Sequence, residues 1–252
     1  MNPNRTKNLL DNGLPAIGTG AGYGSPWAAG ALAQAGFDWV LMDTQHGVWD
    51  TEALHTAILA VSQAGATPVV RVLQNNFGLI NRILDDGVLG VIVPMVDTAE
   101  DAEQAADAMR YPPQGRRSMA NPYLTTIHGD HYSSQANDRV FLAVQIESAT
   151  AVDNAEDILS TDGVDGCWVG PADMALTMGL TLDDIAIHQQ HNEAVAHVVT
   201  ICQKLGKFAG YACSTIEMGK RRIAEGFTFV NVGGDSMFIA EGSKRYLEEM
   251  RG

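Results

Sequence analysis

Residues 65–96 read Gly-Ala-Thr-Pro-Val-Val-Arg-Val-Leu-Gln-Asn-Asn-Phe-Gly-Leu-Ile-Asn-Arg-Ile-Leu-Asp-Asp-Gly-Val-Leu-Gly-Val-Ile-Val-Pro-Met-Val. Two short apolar runs, Thr67–Val72 and Val88–Val96, flank a helical stretch closed by Gly87. The runs do not alternate apolar with polar, so they read as strands buried on both faces, the mark of a parallel sheet covered by helices. The same unit recurs along the chain. Further strands are expected at Pro15–Ala21, Phe37–Asp43, Val140–Glu147, Val164–Gly170, Lys207–Cys213 and Phe227–Gly233. Helical stretches such as Ala53–Ala64 and Ala194–Leu205 lie between strands. Ser25-Pro26 marks a helix start, and Asp97-Thr98-Ala99-Glu100 and Ser214-Thr215-Ile216-Glu217 read as capping boxes. Gly36, Gly65, Gly87, Gly206 and Gly226 stand where helices close before a strand, because glycine takes the left-handed backbone without steric cost.

Eight such units in 252 residues give the size of a (β/α)8 TIM barrel, which typically takes about 250. The expectation is one barrel domain over residues 1–252. A doubly wound open sheet is the alternative. It would need a phosphate loop after the first strand, and Gly18-Thr19-Gly20-Ala21-Gly22-Tyr23-Gly24 contains no G-x-G-x-x-G. The segment Tyr111–Asp138, with Pro112, Pro113, Pro122, Arg116, Arg117, His128 and His131, breaks the alternation and reads as a long loop.

The chain carries 16 basic and 30 acidic residues, a formal net charge of −14. Such a field repels phosphate and argues against nucleic-acid or membrane partners. Three cysteines without a C-x-x-C spacing give no disulfide framework, and no secretory signal or membrane-length apolar run is visible. A cytoplasmic protein is expected.

In a barrel the reactive residues stand at the C-terminal ends of the strands. There the sequence places Asp43 and His46 after the second strand, Arg71 at the end of the third, Gln145 and Glu147 at the end of the fifth, and Gly170 to Asp173 after the sixth. Glu147 ends an apolar strand, where a carboxylate must find a partner or a cation. Glu147 with Asp173 would form a hard-cation site suited to Mg²⁺ or Mn²⁺. The structural alternative is that Asp173 caps a helix and Glu147 pairs with Arg71. No His/Cys pair stands at ligand spacing here, which argues against zinc. Arg71 suits a carboxylate or a developing enolate oxygen, or else a rim ion pair. His46 could relay a proton with Asp43 orienting it, or be structural. The apolar residues Met237, Phe238, Ile239 and Leu247 of the last helix would face either the barrel or a second subunit.

Taken in order, Gly36-Phe37-Asp38, Asp43-x-x-His46, Pro68-Val69-Val70-Arg71, Val93-Pro94-Met95-Val96, Arg110-Tyr111-Pro112-Pro113-x-Gly115, Val144-Gln145-Ile146-Glu147 and Gly170-Pro171-Ala172-Asp173 resemble the HpcH/HpaI (4-hydroxy-2-oxoheptanedioate) aldolase family over nearly the whole chain. The resemblance implies a class II aldolase that makes or cleaves 4-hydroxy-2-oxo acids, pyruvate plus an aldehyde, through a metal-stabilised enolate. It implies Glu147 and Asp173 as ligands of Mg²⁺ or Mn²⁺, with Co²⁺ a further option. Arg71 would stabilise the enolate, and His46 with Asp43 would be the acid–base dyad, acting partly through water. Gln145, Gly170 and Ala172 would hold the keto acid, and Tyr211 and Ala212 would wall the aldehyde pocket. It further implies a homo-oligomer, a hexamer whose last helix is exchanged between subunits. The chain departs from the family pattern at Gln45, where glutamate is common, and at Tyr211-Ala212, where an aliphatic pair is usual. Two other readings remain: a related metal-dependent acyl-CoA or dicarboxylate lyase, and a silent barrel acting as a binding protein.

Overall fold

Eight parallel strands follow one another in chain order and close into a barrel: β1 (Ala16–Ala21), β2 (Trp39–Asp43), β3 (Thr67–Arg71), β4 (Gly90–Val93), β5 (Phe141–Ile146), β6 (Gly166–Val169), β7 (Phe208–Cys213) and β8 (Phe229–Gly234). The computed structural model describes residues 4–119, 123–183 and 185–252, without the side chain of residue 186. β1 pairs with both β2 and β8, so the sheet has no edge and the open doubly wound alternative falls. Every expected strand is present. The hydrogen-bonded part is shorter than the apolar run, most of all at β4, because both ends of the run continue into the turns.

Helices cover the outside, among them Pro26–Gln34, Thr51–Gln63, Phe77–Asp85, Ala99–Met109, Gln189–Leu205, Ile216–Ala224 and Asp235–Arg251. Ser25 accepts from the Ala28 N–H, with Pro26 at the first helical position, as the sequence predicts. Two caps sit one residue later than expected. Thr98, not Asp97, caps its helix and forms a box with Asp101, while Asp97 accepts a hydrogen bond from the Ser148 hydroxyl. Thr215, not Ser214, accepts from the Met218 N–H.

The strand period of two divides the apolar residues into two layers. Inward-facing Leu41, Val69, Ile92 and Ala143 join an aromatic plug of Trp39, Phe141, Trp168 and Phe229. Trp39 stacks on Phe229 at 4.1 Å and meets Trp168 edge-on at 5.5 Å. Space for those rings comes from glycines on adjacent strands: a Cβ at Gly18 would lie 2.1 Å from Trp39, and one at Gly90 2.2 Å from Phe141. Outward residues such as Val40, Met42, Val70 and Val144 pack against the helices. A helix the sequence pattern did not announce, Arg5–Asp11, sends Leu10 into the plug, and Asn4 donates to the Leu89 and Arg139 carbonyls at 3.0 and 2.7 Å. It stops the N-terminal end of the barrel and leaves the C-terminal end as the open mouth.

The expected loop Tyr111–Asp138 contains two helices, Tyr123–His128 and Tyr132–Arg139. Its polar composition hides a small core of Tyr111, Leu124, Tyr132 and Ala136. Arg117 lies buried beneath it, 4.5 Å from the Tyr111 ring centroid, donating to Tyr132 Oη and Asp85. Pro122 lies outside the described residues. No described helix is long and apolar enough to cross a membrane.

Candidate active site

Strand parity decides which polar side chains reach the mouth. On β2, Trp39 and Leu41 point inward, so Asp43 does; on β3, Val69 points inward, so Arg71 does. On β5, Phe141 and Ala143 point inward, and Gln145 and Glu147 continue that face. Asp43 and Arg71 are register partners on neighbouring strands. Arg71 donates Nε to Asp43 Oδ1 at 2.9 Å and Nη2 to Oδ2 at 2.5 Å. Asp43 Oδ1 also accepts from the Gln45 and His46 N–H groups at 3.0 and 3.4 Å. Burial alone would raise the Asp43 carboxyl. The Arg71 guanidinium and the two N–H groups outweigh it and hold it below the usual carboxylate range.

The Asp43 carboxylate is thus bound directly by Arg71, and among the described residues no direct hydrogen bond joins it to the His46 ring of the expected dyad. A bidentate guanidinium is a stronger charge-assisted partner than an imidazole. His46 stands exposed at the rim, and its ring makes no hydrogen bond among the described residues. Thr44 was missed by sequence reasoning. Its hydroxyl donates to the Arg71 carbonyl at 2.7 Å and ties the ends of β2 and β3 together.

Glu147 is 1% exposed. Its Oε1 accepts from the Met95 N–H at 2.8 Å, and its Oε2 from the Gln145 side-chain amide. Burial pushes its carboxyl up to about 7, with the Asp173 charge adding to that; the Met95 N–H, Arg71 and Gln145 pull the other way. Glu147 does not hydrogen-bond Arg71, so the structural alternative of a Glu147–Arg71 pair is not formed. Asp173 lies exposed in the first turn of the helix Pro171–Thr177, whose N-cap Gly170 offers no capping side chain. A Cβ at Gly170 would sit 2.7 Å from Glu147 Oε2, so glycine is what lets that turn approach the carboxylate. Ala172 is exposed in the same turn.

Tyr211 requires a correction. On β7, Phe208 and Ala212 pack with the inner layer, whereas Ala209, Tyr211 and Cys213 face the helices. Tyr211 is buried, accepts from Arg222 Nη2 at 3.1 Å and lies edge-on to Phe227. It points away from the mouth and cannot wall a pocket there; Ala212 has the inward parity.

No group of three or more His, Cys, Asp or Glu side chains gathers at a metal-sized spot among the described residues. Glu147 and Asp173 offer two hard carboxylate donors, and the buried Oε1 of Gln145 next to Glu147 has no hydrogen-bond partner. This donor set fits Mg²⁺ or Mn²⁺, which takes one or two carboxylates and completes its shell with water and substrate oxygens. It does not fit zinc.

A family profile described as HpcH/HpaI aldolase/citrate lyase matches residues 23–241. The chain is 36% identical over 235 residues to 5-keto-4-deoxy-D-glucarate aldolase of Klebsiella pneumoniae, covering 92% of this chain and 91% of the relative. It is 33% identical to 2-keto-3-deoxy-L-rhamnonate aldolase of Escherichia coli K12, covering 94% and 90%. A crystal structure of a protein of the same family from Burkholderia cenocepacia superposes with a TM-score of 0.92 at 31% identity, over 99% of this chain and 100% of that one.

Proposed function

The chain belongs to the HpcH/HpaI aldolase/citrate lyase family, and from that premise we infer that it is a class II aldolase, a carbon–carbon lyase that cleaves 4-hydroxy-2-oxo acids to pyruvate and an aldehyde. The observation that carries the site assignment is the close approach of the Gly170 turn, which leads into exposed Asp173, to the buried Glu147 carboxylate. The Asp173 charge opposes ionisation of the buried Glu147, and a divalent cation held there would remove that opposition.

In this reading Glu147 and Asp173 hold Mg²⁺ or Mn²⁺, and Co²⁺ suits the same oxygens. When bound, the cation supplies Lewis-acid polarisation of the 2-oxo acid. Arg71, held by Asp43 through Nε and Nη2, keeps Nη1 free to donate to the oxygen on which charge develops as the carbon–carbon bond breaks. The Gln145 amide and the uncapped turn at Gly170 and Ala172 hold the acid end. His46 at the rim takes the proton of the aldol hydroxyl, and water links its ring to Asp43. Ala212 lines the aldehyde side. The substrates named for the two relatives are deoxy keto sugar acids. The class proposed for this chain is the same, with a hydroxylated aldehyde as the second product.

Glu147→Ala and Asp173→Ala test the ligand assignment. Each is expected to abolish metal-dependent pyruvate release; unchanged release with an intact metal titration would refute it.

We further propose a homo-oligomer, with six subunits as the expected number, working in the cytoplasm. Of the helix Asp235–Arg251 only Asp235 is buried, while Ile239, Tyr246, Leu247 and Met250 are exposed, Met250 by 84%. Trp27 near the mouth is 88% exposed. These exposed apolar residues along the last helix support a subunit contact on that face.

A further inference from the structure

Met95 has a φ of 55° and is the one non-glycine residue with a positive φ among the described residues. A residue with a Cβ is crowded there, so something must hold it. Side-chain packing does not: Met95 is 54% exposed. Its N–H, in contrast, meets Glu147 Oε1 at 2.8 Å. Pro94 before it has no N–H, so Met95 offers the first backbone donor past the end of β4, beside the end of β5 where Glu147 stands. Gln145 occupies the other oxygen. Each carboxylate oxygen keeps one further lone pair, and the direction of those lone pairs is set by the two donors.

We propose that Met95 is a positioning residue: its left-handed backbone aims an N–H at Glu147 Oε1 and so fixes the angle at which the carboxylate meets a divalent cation. The inference rests on the reading of Glu147 as a metal ligand. Partners that orient a ligand typically matter about 10–100-fold in metal affinity. The side chain of Met95 has no part in this, and only the N–H and the backbone angle do.

The test is a titration with Mn²⁺ alone, read from the free aqua ion by electron paramagnetic resonance, on folded full-length protein. Met95→Ala and Met95→Gly keep the N–H and are expected to bind within about threefold of the parent. Met95→Pro has neither the N–H nor access to positive φ, and is expected to bind about 10–100-fold more weakly. Equal binding by a folded Met95→Pro protein, or an equal loss in Met95→Ala, would overturn the proposal. Should Met95→Pro not fold, amide exchange in ¹⁵N-methionine-labelled protein decides. The Met95 N–H is expected to be protected in the parent and to lose about tenfold or more of that protection in Glu147→Ala; an unchanged rate would overturn the proposal. A parent that binds no Mn²⁺ while the Met95 amide stays protected would remove the ligand reading and, with it, the metal-orienting role.

Discussion

Arg71 and Asp43 stand opposite one another at the ends of β3 and β2 and share two parallel hydrogen bonds, at 2.9 and 2.5 Å. Both are only about a sixth exposed, with side-chain exposures of 15% and 17%. The fork fixes the guanidinium plane before any substrate arrives, and in a half-buried mouth that pre-orientation strengthens the interaction with developing negative charge.

Arg71→Lys therefore removes more than its conserved charge implies. Lysine is a point charge and cannot hold Asp43 bidentately while reaching a second oxygen. The turnover number for pyruvate release is expected to fall about 10²–10³-fold, the usual cost of losing a transition-state donor. Mn²⁺ affinity should stay close to that of the parent. A fall of less than threefold in steady-state assays would contradict the assigned role.

Tyr211 belongs to the scaffold. Tyr211→Phe deletes the hydroxyl that accepts from Arg222 and leaves that guanidinium with Glu225 as its remaining side-chain hydrogen-bond partner among the described residues. A loss of about 1–3 kcal/mol is expected in urea unfolding. The relative rates over a panel of aldehydes should not change. Ala212→Val, on the inward face of the same strand, should change them. A selectivity change in Tyr211→Phe without one in Ala212→Val would reverse the parity argument.

Acid should unfold the protein partly through His128 and His191. Burial pushes both rings down from 6.5, although carbonyls at Gly87 and Pro171 pull the other way. Unfolded, each ring takes a proton near pH 6.5; folded, it does so only at lower pH. The unfolded state thus binds more protons as pH falls through about 6.5, and stability declines below that point while remaining flat above it as far as these rings are concerned. His128→Gln should shallow the decline measured by denaturant midpoints from pH 7.5 to about 5. A slope identical to the parent's would contradict this.

Much of this molecule was legible before its structure. Strands buried on two faces show as unbroken apolar runs, and a polar residue ending such a run, as Asp43, Arg71, Gln145 and Glu147 do, stands out against it. What escaped did so for physical reasons. β7 contains Gly210 and Ala212, small residues that carry no phase, so its inward face could not be read and Tyr211 was set on the wrong side. The core beneath Tyr111–Asp138 leans on Tyr111, Tyr132 and the buried Arg117, residue types that look like surface, with Leu124 and Ala136 as its buried aliphatic members. The role of Met95 lies in a backbone angle that nothing in a methionine advertises. The cap expected at Asp97 falls to Thr98, and Asp97, an adequate cap by type, is engaged by Ser148 instead.

The most direct test follows pyruvate methyl protons by NMR in D₂O. With Mg²⁺ or Mn²⁺ present, the methyl protons are expected to exchange for deuterium, with the exchange lost on adding EDTA and absent in Glu147→Ala and Asp173→Ala. Exchange that survives EDTA, or no exchange by folded protein with any of these metals, would contradict metal-dependent enolate chemistry at this site.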